Sequence, residues 1–165
     1  MRVALYAALI IFLDQATKFL AVAKLKNRHS IEIIPGFFNL SYVENAGAAW
    51  GIFSGHRYPL LIFALISLIY IILQRKKIFG HLKFSTVLPA LICGGIAGNM
   101  IDRIRLSRVI DFLDFHAFGK HFPAFNIADS AICIGAFLFI LAEFLYSRQH
   151  KKINADLHNT TDHHI

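Results

Sequence analysis

Residues 126–147 read NIADSAICIGAFLFILAEFLYS. A run of this length and apolarity is what crossing about 30 Å of hydrocarbon requires at about 1.5 Å per residue. Three further runs resemble it, at about 3–23, 58–74 and 84–101. In lipid every backbone N–H and C=O must be satisfied within its own segment, so each run predicts a helix. The fold class expected is therefore an all-α membrane protein with four transmembrane helices in one domain, residues 1–152. A polar tail, 153–165, follows.

Composition agrees. Hydrophobic residues make up 56% of the 165-residue chain and charged residues 16%, against roughly 25% charged in an ordinary soluble domain. The net charge of +7 does not point to nucleic acid, because the basic residues form no stripe interleaved with aromatics. They sit at the ends of apolar runs, as Arg75, Lys76 and Lys77 or Arg148, Lys151 and Lys152 do, which suits lipid headgroups. Cys93 and Cys133 lie in apolar runs outside any CxxC pair. They read as small buried hydrophobes, with a bridge between them left open. The first run imitates a signal peptide, with Arg2 before it and Ala21-Val22-Ala23 near its end. Asp14, Gln15, Thr17 and Lys18 interrupt it, so a retained helix is expected.

Between the first two runs the pattern changes. Ile31-Glu32-Ile33 and Phe38-Asn39-Leu40-Ser41-Tyr42 alternate around Pro35-Gly36, predicting a hairpin with one apolar face. The loop from about Lys24 to Tyr58 is expected to close over a site, with Phe37, Phe38 and Trp50 as apolar contacts and Asn45 reaching a substrate backbone; the alternative is that it only caps the helix ends. The stretch from Asp102 to Phe125 is mixed and charged. Four spans put these two segments on one membrane face. Lys and Arg outside the spans number eight on each face, leaving Lys18. Only the compact cluster Arg75, Lys76, Lys77 and Lys83 tilts the short loop toward the cytoplasm.

Ionisable groups at membrane depth are costly and mark function. Asp14 and Lys18, four apart, share a helix face. Either they neutralise each other while Lys18 snorkels outward, or they turn into the bundle to support a site. Gly94 and Gly98 have the spacing of close helix packing. Asn99, Asp102 and Arg103 follow on one face, readable also as a structural cluster with Asp102 tied to an arginine. The sharpest pair is Asp111, in Val109-Ile110-Asp111-Phe112, and Asp129, where the last helix begins. Two adjoining carboxylates share one proton, so one can activate water while the other protonates a peptide carbonyl. With Asn126 as N-cap, Asp129 falls at N3, where an acid is favoured, making it the expected base. No HExxH, nucleophile elbow or Walker loop is present. The histidines near the C-terminus read as part of a polar tail. No metal or cofactor is expected.

Five stretches together resemble the lipoprotein signal peptidases, or signal peptidase II family. They are Asp14-Gln15-Ala16-Thr17-Lys18, Asn45-Ala46-Gly47-Ala48-Ala49-Trp50, Gly98-Asn99-Met100-Ile101-Asp102-Arg103, Val109-Ile110-Asp111-Phe112 and Phe125-Asn126-Ile127-Ala128-Asp129-Ser130. Trp50 stands where the family usually has Phe, and Glu44 precedes the asparagine. The resemblance implies a multi-pass bacterial inner-membrane protein, both termini cytoplasmic, with an extracytoplasmic β-cradle matching the hairpin. It implies an intramembrane aspartyl endopeptidase with Asp111 and Asp129 as the catalytic dyad at the extracytoplasmic face. Asp14, Lys18, Asn45, Asn99, Asp102, Arg103 and Asn126 would bind substrate or support the site. The implied partners are membrane lipids and prolipoproteins already carrying diacylglycerol, cut just before the lipidated cysteine by a monomeric enzyme. Ile92 and Ile132 precede this chain's own cysteines, so it has no lipobox. The rival from another class is a small transporter or proton relay using the same carboxylates, which would call for internal repeats and broken helices; neither is evident.

Overall fold

The computed structural model describes residues 1–48 and 52–162, with side chains through Lys151. The elements run α1 (Arg2–Leu25), β1 (Ile31–Ile34), β2 (Phe38–Asn45), α2 (Arg57–Phe79), α3 (Val87–Leu106), β3 (Val109–Ala117), β4 (Lys120–His121) and α4 (Ile127–Asp162). Each of the four helices is long and apolar enough to cross a membrane. On α2, Phe63, Ile66 and Leu73 are more than half exposed; lipid is the solvent that suits such a surface.

Helix α3 packs against the other three and carries the buried small residues Ala90, Gly94, Gly95 and Gly98. A Cβ on Gly94 would meet Ile10 Cβ at 2.9 Å, and one on Gly98 would meet Asp14 Oδ2 at 2.7 Å. Glycine is what lets α1 come this close. Cys93 and Cys133 are both free; Cys93 is buried as expected, whereas Cys133 is exposed.

Several helix ends differ from the sequence expectation. Helix α2 continues through Arg75, Lys76 and Lys77, whose long side chains can reach polar surroundings without breaking the helix. Helix α3 begins at Val87 rather than Phe84 and runs past Asp102 and Arg103 to Leu106. Helix α4 continues to Asp162, through most of the polar tail; His163 and His164 lie outside the described residues, as does Trp50. The left-handed Ser107, φ 64°, ends α3 and turns the chain into β3.

The expected hairpin is present: Ile31 pairs with Leu40 and Ile34 with Phe38. Its first strand, however, is exposed on both faces. The expected mixed segment after α3 supplies a strand instead. β3 pairs antiparallel with β2, giving a sheet of order β1-β2-β3-β4. That pairing fixes both extramembrane segments to one end of the bundle. The start of β3 is buried on both faces, so Val-Ile-Asp-Phe-Leu-Asp shows no simple alternation to mark it as a strand. The β2–β3 register shifts between Leu40 and Val43, where Leu40 opposes Leu113 and Val43 opposes Asp111. Two residues thus face one, a β-bulge.

Gly98→Ala is expected to lower stability by about 1–3 kcal/mol, because the fully buried Asp14 cannot retreat. A thermal unfolding midpoint in detergent equal to that of the parent protein would contradict this reading.

Candidate active site

Asp14 is fully buried and Lys18 is 3% exposed; of the two sequence alternatives, the pair turns into the bundle and does not snorkel. Lys18 Nζ lies 2.9 Å from Asp14 Oδ2 and 2.9 Å from Asp102 Oδ2. It also donates to Asn99 Oδ1 at 2.9 Å. Asp102 is therefore tied to a lysine on another helix, not to an arginine. Gln15, which the sequence reading did not single out as a site residue, donates to Asp14 Oδ2 and Asp102 Oδ1 at 3.1 and 3.0 Å. Its signals are a polar side chain inside an apolar run and its place in the stretch Asp14-Gln15-Ala16-Thr17-Lys18.

These anchored carboxylates reach backbone of other elements. Asp14 Oδ1 accepts from Ala128 N in the first turn of α4 at 2.9 Å. Asp102 Oδ2 accepts from Ile110 N at 3.2 Å, setting the start of β3 just before Asp111. The first turn of α4 closes as a capping box. Asp129 N donates to Asn126 Oδ1 at 2.9 Å, and Asn126 N donates to Asp129 Oδ2 at 3.3 Å, the reciprocal arrangement that satisfies two orphan donors.

Three asparagines bind the two remaining aspartates. Asn99 Nδ2 donates to Asp129 Oδ1 at 2.7 Å. The amide of Asn126, itself fully buried, donates to Asp111 Oδ1 at 2.7 Å and to Asn99 Oδ1 at 3.2 Å. Asn45 Nδ2 donates to Asp111 Oδ2 at 3.1 Å. The sequence reading aimed Asn45 at a substrate backbone; here it ends β2 and holds Asp111. Arg103 Nη2 donates to Gly47 O at 2.9 Å, fastening the chain after β2 to α3.

Asp111, 2% exposed, is pushed up to about 7 from an ordinary 3.8, first by burial and then by the charge of Asp129. Hydrogen bonds from Asn45 and Asn126, and the charge of Lys18, pull the other way. Asp111 and Asp129 both line one cavity of about 530 Å³ whose remaining wall is largely apolar, including Val109, Phe122, Pro123 and Phe125. Asn45, Asn99 and Arg103 line it too, whereas Asp14, Lys18, Asp102 and Asn126 stand behind. A protonated acid and a carboxylate lining one cavity can exchange protons with a molecule held in it.

The model of the family described as signal peptidase (SPase) II matches residues 6–145. A lipoprotein signal peptidase of Desulforapulum autotrophicum is 42% identical over 145 residues, covering 84% of this chain and 89% of that one. That of Staphylococcus aureus is 41% identical over 138 residues, 84% and 85% of the two chains. A solved structure, described as a bacterial membrane enzyme obtained by the in meso method at 2.3 Å resolution, superposes with a TM-score of 0.75 at 35% identity, covering 90% of each chain. The match runs through all four helices and the sheet between them, and the chain belongs to the signal peptidase II family.

Proposed function

We propose that this peptidase removes signal peptides from diacylglyceryl-modified prolipoproteins, cutting before the lipidated cysteine with Asp111 and Asp129 as a one-proton dyad. The observation that carries the reading is the pair of carboxylates lining one largely apolar cavity, joined by the hydrogen bonds of Asn126. A substrate anchored by lipid arrives by sideways diffusion, so an apolar wall beside the acids suits both its acyl chains and the small residues before its cysteine. In this reading the sheet end of the bundle faces away from the cytoplasm, and both termini lie on the cytoplasmic side of the bacterial inner membrane.

The chemistry needs two proton transfers. Asp129 takes a proton from water as the water oxygen bonds to the scissile carbonyl carbon. Asp111 gives its proton to the carbonyl oxygen, leaving a neutral gem-diol. Asp129 then protonates the departing nitrogen while Asp111 recovers a proton from the diol, and the C–N bond breaks. The signal peptide leaves as a carboxylic acid and the lipidated cysteine as a free amine. Asn45, Asn99 and Asn126 hold the carboxylates in place, and Arg103 fixes the strand end that carries Asn45.

Asp111→Asn and Asp129→Asn should each cut turnover of a diacylglyceryl-modified prolipoprotein by about 100- to 10,000-fold, read as the gel shift of the cleaved product, at parental protein levels. Near-parental cleavage by either variant would remove that residue from the dyad.

The pH dependence has a fixed sign. Above about 7 Asp111 loses the shared proton, so kcat/KM should fall as pH rises past that point, with apparent values belonging to the pair. The same proton is held more tightly by the folded chain than by the unfolded one. Its stabilising contribution is full below the ordinary 3.8 and is lost as pH rises through about 7. Thermal midpoints of Asp111→Asn should accordingly decline less than those of the parent across that window. Parallel curves would show that Asp111 is not raised.

A further inference from the structure

Away from the dyad, the strand alternation gathers a second set of polar groups. Asp114 and His116, two apart on β3, share a sheet face. Their cross-strand partners, Asn39 opposite Asp114 and His121 opposite His116, fall on that face as well. Nitrogens of the two imidazoles and an oxygen of Asp114 all lie within 4.8 Å of one another. Asp114 Oδ1 is 2.8 Å from His121 Nδ1, and its Oδ2 accepts from Ser41 Oγ at 2.9 Å. The two imidazoles stack with centroids 4.9 Å apart.

The bland account is an Asp114–His121 ion pair beside a stacked ring. It leaves two atoms unexplained. His116 Nδ1 and Asn39 Oδ1 are buried without a hydrogen-bond partner among the described residues. An unsatisfied buried polar atom costs about 1–3 kcal/mol, and two on one small patch call for a shared partner. Two imidazoles with a carboxylate are the donor set of zinc-class ions, whereas magnesium and calcium take oxygen.

We propose that Asp114, His116 and His121 form a binding site for a zinc-class divalent transition metal, with Asn39 Oδ1 as the adjoining oxygen. Such an ion would clamp β4 to β3. Residue 121 runs directly into Phe122 and Pro123, which wall the cavity, so the clamp would hold that wall. The acid–base steps assigned to Asp111 and Asp129 run without it, and the two readings can fail separately.

The test uses the full chain in detergent, stripped with EDTA and dialysed, titrated with zinc by calorimetry and with cobalt by visible absorption. The variants are His121→Gln, whose exposed side chain can change without disturbing the fold, and the double variant His116→Ala/His121→Ala. The parent protein should bind one more zinc than the double variant, show a tetrahedral cobalt band, and melt at a higher temperature with zinc than without. His121→Gln should bind more than about 100-fold more weakly, beyond what loss of an outer partner of a ligand costs. Without metal, both variants should still cleave substrate. Equal zinc stoichiometry and cobalt spectra in the parent and both variants, as binding by the other histidines alone would produce, would overturn the proposal.

Discussion

The ammonium of Lys18 stands out of water between two carboxylates and an asparagine carbonyl, each 2.9 Å away. Removing an ion from water costs several kcal/mol, and attraction offsets this only where geometry is good and the remaining donors and acceptors are engaged. Here they are. Asp14 reaches the first turn of α4, Asp102 reaches the first residues of β3, and Gln15 bridges the two acids. One charge cluster thereby sets the relative positions of α1, α3, α4 and β3. Asn99 carries the order onward, its carbonyl held by Lys18 and its amide by Asp129. Asp111 and Asp129 are thus positioned in part by groups, Asp14, Lys18 and Asp102, that stand behind the cavity wall.

Much of this was legible in the sequence, for physical reasons that vary by residue. The bilayer imposes length and apolarity on each span, so the four helices could be read directly. Pro35-Gly36 between alternating runs marked the hairpin. Asp14 and Lys18 betrayed themselves by their cost at depth, but whether they faced inward depended on Asp102, eighty-odd residues away, and periodicity within one helix cannot report that. β3 stayed hidden because burial on both sides erases the two-residue rhythm. Charge is not a stop signal at a helix end where it is paired: Asp102 continues α3 with Lys18 neutralising it.

The asparagines show the same limit. Asn126 announced itself as a cap three residues before an acid. That its amide also spans from Asn99 to Asp111 follows only from the tertiary meeting of α3, β3 and α4. The Asp114, His116 and His121 grouping is a product of cross-strand pairing over a short turn, and no linear ligand spacing advertises it.

The bulge in β2 has a consequence for how this protein can vary. Before the bulge, Leu40 shares a face with Leu113; beyond it, Val43 shares one with Asp111 and Asn45 with Val109. The offset brings the odd-numbered residues of β2 round to the side of Asp111, and so delivers the Asn45 amide to its carboxylate. With an unbroken register, Tyr42 would oppose Asp111 and Glu44 would take the place of Asn45, setting a third carboxylate beside the dyad. The number of residues between Leu40 and Asn45 thus decides which side chain reaches Asp111. Shortening the strand by one residue there would exchange a hydrogen-bond donor to Asp111 for a competing charge.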